Sequence, residues 1–221
     1  MNEDAQSTAR VPDSWPGGFG IYKYSKQAVK VNLWTLVFVS LLGFVADLIL
    51  LILLKRQLGN LVGFVVGSLI TAATSIVFLA GVRGQALTVE QALKQALPLW
   101  LKMFLLNILV FFAVLASFLA LIVPFFFVFP RLLLANYFLV DKKMDPVDAF
   151  KASWHATKGQ GSKVWGIIGT NFAICLLFIT IIGIPFAAYF LIMYSAAFPV
   201  LYVFLNKHHP AQPAATPVAA N

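Results

Sequence analysis

The sequence predicts an all-α polytopic membrane protein. It has six transmembrane helices arranged as three helical hairpins, each preceded by a short amphipathic helix on the cytoplasmic side. Three observations predict this class. The chain is 61% hydrophobic and only 11% charged, whereas a soluble domain is about half apolar and about a quarter charged. Its mean hydropathy is +0.88. Its apolar residues gather in runs of membrane-spanning length, separated by short polar segments. A 221-residue soluble domain would have to cover its surface with 16 basic and 8 acidic residues, which is too few. An ordinary soluble enzyme, a nucleic-acid binder and a disordered chain are thereby excluded.

Residues 1–20 hold Pro12, Pro16 and Gly17-Gly18-Phe19-Gly20, with no apolar core of a secretory signal. They are expected to be a flexible tail, as is the segment 207–221. No lysine–hydroxyl pair follows the glycines, so they read as a turn rather than a phosphate loop. The body, 21–206, divides into units 21–82, 87–141 and 145–206. The first run, 31–54, and the second, 58–82, are each long enough to span, with Lys55-Arg56-Gln57 between them. The next run, 99–140, is 42 residues long. As one helix it would reach about 60 Å, roughly twice the hydrocarbon thickness. It must fold back, and Pro124 is the expected place. The run 164–205 folds back in the same way at Gly183-Ile184-Pro185. Spans three to six are therefore 99–123, 125–141, 163–182 and 185–205. Pro130 and Pro199 are expected to kink the fourth and sixth.

The net charge of +8 reports sidedness. Thirteen of the sixteen Lys and Arg residues fall on the side of the amino terminus. Lys55 and Arg56 lie opposite, and Arg131 lies within a span. Basic residues collect on the cytoplasmic side, which places both termini there. The lone Cys175 sits in an apolar run and forms no internal disulfide.

The cytoplasmic segments repeat. Gln27-Ala28-Val29-Lys30, Gln91-Ala92-Leu93-Lys94 and Asp148-Ala149-Phe150-Lys151 share a polar–Ala–apolar–Lys pattern. Lys102 matches Lys163 and Val123-Pro124-Phe125 matches Ile184-Pro185-Phe186, both at an offset of 61. Parallel repeats of one helical unit give this signature. Thr88 with Gln91, and Asp145 with Pro146 and Asp148, read as helix starts. Gly159 and Gly161 read as a stop. Val147, Phe150, Trp154 and Thr157 share one face of the third loop helix, with Lys151 and Lys158 towards the other. Such helices suit the headgroup layer. Lys94, Lys102, Lys142, Lys143, Lys151, Trp154, Lys158 and Lys163 are the residues expected to meet anionic lipid headgroups. The same segments also read as loops packed on the bundle.

The stretch from Arg131 to Val140, then Asp145 to Trp154, then Thr157-Lys158-Gly159, resembles the bacterial glycerophosphoryl diester phosphodiesterase membrane-domain family. It is also similar to the uncharacterised six-span proteins of the YciC type. The resemblance covers the last half of the chain. It implies a multi-pass protein of the bacterial inner (plasma) membrane. In the phosphodiesterases it implies catalysis by a separate soluble barrel, for which this chain has no room, so a fold carries over and an activity does not.

Within the spans the charged residues are Asp47 and Arg131. Their equal depth, about 10 Å and about 9 Å from the outer ends, predicts an ion pair, with separate snorkelling as the alternative. Asn107, Asn136 and Asn171 are candidates for a polar cavity or for bonds between helices. Gly59, Gly63 and Gly67 repeat every four residues and predict close helix packing, within the bundle or between subunits. No nucleophile–base set and no metal spacing is visible; His155 stands alone and His208-His209 reads as a solvated tail. The expected function is a non-catalytic scaffold or membrane-associated regulator, without cofactor or nucleic acid. The alternative is a small transporter or lipid-handling protein using Asp47, Arg131 or the asparagines.

Overall fold

The computed structural model describes residues 11–53, 56–120, 122–176 and 183–208. Among the described residues every regular element is helical. The chain opens with α1 (Gly17–Gly20) and α2 (Tyr22–Val31), followed by the long helices α3 (Leu33–Leu53) and α4 (Arg56–Val82). Helix α5 (Val89–Ala96) runs through a 3-10 turn into α6 (Trp100–Ala120). Next come α7 (Ile122–Leu132), α8 (Ala135–Lys142) and α9 (Pro146–Ala156). The last three are α10 (Gly161–Leu176), α11 (Gly183–Tyr194) and α12 (Ala197–His208).

Among the described residues five stretches are long and apolar enough to cross a membrane: Leu33–Leu50, Val62–Val82, Val89–Leu119, Pro124–Lys142 and Pro185–His208. Part of the expected fifth span, 177–182, lies outside the described residues. So do Lys55 and the expected tail segments 1–10 and 209–221. The outward faces are apolar. On α3 they carry Trp34, Phe38, Leu41, Phe44, Leu48 and Ile52, and on α6 Phe111, Phe112, Leu115, Phe118 and Leu119. A patch of this extent is far larger than a soluble monomer leaves in water, and lipid is the solvent that suits it.

Helix α12 is enclosed. Its Ala197, and each residue from Pro199 to Leu205, is buried, and it packs against α2, α4 and α10. Apolar residues on every side of a helix require neighbours on every side, and α12 has them.

The prolines mark helix starts and breaks. Pro124 and Pro185 are the third residues of α7 and α11, in the first turn, where a missing N–H removes no ladder bond. They open helices. Pro199 does interrupt one: its absent N–H would have bonded Ser195, and the chain breaks at Ser195-Ala196, between α11 and α12. Pro130 lies inside α7, which continues to Leu132; the break comes at Leu133-Leu134, before α8. The second and third units therefore share a helix interrupted at equivalent places.

The expected flexible tail is ordered from residue 11. Pro12 is buried, and Val11 and Trp15 pack on the core. Asp13 pairs with Lys207 at 2.9 Å. Trp15 and Phe204 lie 5.6 Å apart as rings. His208, expected in a solvated tail, contacts the carbonyls of Phe204 and Asp13. The glycine cluster is not a loose turn: a Cβ on Gly18 would meet the Gly166 backbone at 2.4 Å, and the Tyr194 hydroxyl donates to Gly18 O. Glycine is what allows α1 to lie directly on α10.

Candidate functional site

Helices α2, α5 and α9 collect at one end of the bundle with the last turns of α4, α8 and α12. Local chemistry makes this end rigid. At Thr88 the hydroxyl accepts from Gln91 N while the Gln91 side chain accepts from Thr88 N, the expected capping box. Asp145 stands at the N-cap of α9, as expected, but its side chain makes no capping hydrogen bond. Its carboxylate instead holds Lys102 Nζ at 2.6 Å, pinning the start of α9 to the start of α6. Pro146 opens α9, and Gly159 follows its end with φ +77°. Asn32, buried after α2, donates to Gln85 O at 2.8 Å and accepts from Leu87 N at 2.8 Å, holding the link between α4 and α5.

The centre of this end is Asp141. Arg83 Nη2 donates to its Oδ1 at 2.6 Å, and the Tyr202 hydroxyl donates to its Oδ2 at 2.8 Å. The Arg83 and Asp141 side chains are only 10% and 4% exposed. Arg83 follows α4, Asp141 lies in the last turn of α8 and Tyr202 lies in α12. One carboxylate at the end of the second expected unit thus ties the connection after the first to the third. A buried charge is tolerated only when paired and hydrogen-bonded, and both oxygens of this one are partnered. Beside it opens a cleft of about 510 Å³, lined by Arg83, Asp141, Lys94 and Lys143 together with Leu79, Leu99 and Val140. Lys143 caps α8 in the left-handed conformation, φ 51°.

The expected Asp47–Arg131 pair is not formed. Among the described residues the ion pairs are Arg83–Asp141, Lys94–Glu90, Lys102–Asp145 and Lys207–Asp13. Arg131 lies over the Trp154 ring, 4.5 Å from its centroid. The reason is the end of α7 at Leu132. It leaves the Arg131 carbonyl without an intrahelical partner, and Ser153 Oγ supplies one. Helix α9 therefore docks on the break, bringing Trp154 under the guanidinium. Asp47 is exposed on α3, near Gly63 of α4.

The asparagines line no common cavity among the described residues. Asn107 donates to Ser68 across α6 and α4 at 3.2 Å. Asn171 donates to Ile167 O within α10, and Asn136 is half-buried in α8. Of the glycine series, Gly63 faces α3, where a Cβ would stand 3.5 Å from Asp47 Oδ1. Gly67 has open space where a Cβ would stand, and the surroundings of Gly59 lie outside the described residues. Close approach occurs at Gly81, where a Cβ would meet Ala28 O at 2.4 Å, and at Gly43, against Ile70.

The loop lysines are divided. Lys94 pairs with Glu90 on the surface. Lys142 lies over Phe138, and Lys163 lies over Phe204 and Trp15. Lys158 is exposed. Lys151, Trp154 and His155 line a shallow hollow with Ala113, Val128 and Phe150. Helix α9 meets the bundle through its small residues, with Ala149, Ser153 and Thr157 buried, while Val147 of the expected apolar face is exposed. Among the described residues no group of three His, Cys, Asp or Glu side chains could hold a metal.

The chain matches no protein-family model, no curated protein and no solved structure. Asp141 and Tyr202 do not stand out in the sequence. Asp141 closes an apolar run, as the last residue of the expected fourth span. The available signal was that Arg83 closes another apolar run with the opposite charge.

Proposed function

We propose that the chain is a non-catalytic multi-pass protein of a bacterial inner membrane, acting as a scaffold or membrane-associated regulator. In this reading it has six spans in three hairpin units, both termini in the cytoplasm, and the fold of the phosphodiesterase membrane-domain type. The Arg83–Asp141–Tyr202 junction carries the reading. A buried charge network joining the second and third units to the connection after the first favours one fixed arrangement, which suits a platform better than an alternating-access machine. The lysines gathered at the same end support contact with anionic headgroups, and the basic asymmetry supports the orientation.

The test is reconstitution into liposomes. A scaffold gives no ion flux and no lipid scrambling above protein-free vesicles. A flux that Asp47→Asn abolishes would overturn the reading in favour of a transporter. Orientation is checked in a Cys175→Ser background. Single cysteines at Lys158 and Lys207 should label from the cytoplasmic side, and one at Gln57 from the other.

A further inference from the structure

We propose that the cleft beside Arg83 binds an anionic lipid: one anionic headgroup carried on an apolar tail. The inference deepens the reading above by giving the basic end one specific lipid site. The cleft, about 510 Å³, falls within the range of small-molecule sites. Its charge is unbalanced. Arg83, Lys94 and Lys143 line it against the single carboxylate of Asp141, and that carboxylate is already bonded to Arg83 and Tyr202. Lys94 also meets Glu90, but both side chains are about three-quarters exposed, at 75% and 74%, so water screens that pair and leaves the cation available.

The guanidinium is incompletely satisfied. Arg83 Nε is buried and has no hydrogen-bond partner among the described residues. A buried donor without an acceptor costs about 1–3 kcal/mol, and an anion against this guanidinium lowers that cost. The remaining wall is apolar: Ile76, Leu79, Leu99 and Val140. Leu97 and Leu101, on either side of the lining residues Pro98 and Leu99, are exposed. A free phosphate ion gains nothing from that surface, whereas an acyl chain does. Cations over an apolar wall that continues towards the exposed flank of α6 select an amphiphile.

The experiment uses the full chain in neutral maltoside micelles with phosphatidic acid carrying a fluorescent tail. The expected result is saturable binding, competed by unlabelled phosphatidic acid. The double variant Lys94→Gln/Lys143→Gln should weaken it about five-fold, the scale of two screened charge contacts. Both lysines are exposed, and an unchanged melting temperature confirms the fold. The control Lys30→Gln/Lys158→Gln removes the same charge from exposed positions outside the cleft lining and should leave binding intact. Equal weakening in both doubles would overturn the cleft site while leaving general anionic attraction to the basic end. Competition by inorganic phosphate or by phosphatidylcholine as effective as by phosphatidic acid would overturn the anionic amphiphile. No binding by the unaltered chain would count against the wider reading as well.

Discussion

Arg83 and Asp141, 58 residues apart in the chain, meet in a 2.6 Å ion pair whose two side chains are almost fully enclosed. Removing one partner of a buried pair strands the other charge and typically costs about 3–5 kcal/mol. Asp141→Ala and Arg83→Gln should each lower the melting temperature in detergent markedly. The double change Arg83→Met/Asp141→Leu should cost less than either single change, because no charge is left unpaired.

Tyr202→Phe deletes one donor to the same carboxylate and leaves the ring in place. The expected loss is about 1.5–3 kcal/mol, the range for a hydrogen bond to a charged group. In a background of Asp141→Ala the same change should cost little. A double-mutant cycle reads this coupling, and additive losses would refute the shared junction.

Two glycines of α4 should respond in opposite directions. Gly81→Ala puts a methyl group 2.4 Å from Ala28 O, forcing α2 away from α4, and should destabilise. Gly67→Ala enters open space and should be neutral or stabilising, by up to about 1 kcal/mol from helix propensity. Thermal denaturation of the two variants decides.

Asp47 and Arg131 should act independently. Arg131→Leu loses the contact over Trp154, and Asp47→Asn loses no ion pair. Their combination should be additive, and the charge-swapped double should rescue nothing. Ser153→Ala should destabilise by about 1 kcal/mol by leaving the Arg131 carbonyl without its donor.

The amino-terminal segment carries a weak pH dependence. The hydrogen bond and charge of Lys207 hold the Asp13 carboxyl below its usual 3.8. A lowered carboxylate stabilises the folded state above its unfolded value, and that contribution fades as pH falls through the folded value. Hydrogen exchange of residues 11–20 should therefore quicken only in strong acid. Asp13→Asn should remove that acid response.

Elements confined to one stretch of chain were legible. The apolar runs located the long helices, and Thr88 and Gln91 announced their capping box because its partners lie three residues apart. What depended on distant partners was not legible. Equal depth made Asp47 and Arg131 look matched, yet depth says nothing about which faces meet, and the break after Leu132 gave Arg131 to Trp154. The spacing of Gly59, Gly63 and Gly67 marked a smooth helix face without saying how closely a neighbour uses it; at Gly81, one residue before the helix ends, the approach is closest. Asp145 had the residue type of a cap, but Lys102 offered a full charge and took its carboxylate.

The position of α12 has a consequence for biogenesis. Helix α12 follows the other described helices in the chain, so a ribosome delivers it after α2, α4 and α10, the helices it packs against. Until then α2, α4 and α10 lack the surface they pack against, and Asp141 lacks the hydroxyl of Tyr202. The packing of α4 against α3, α5 and α6 can form before that, whereas the Tyr202 bond to Asp141 and the contacts of α12 can form only once the last helix has been made.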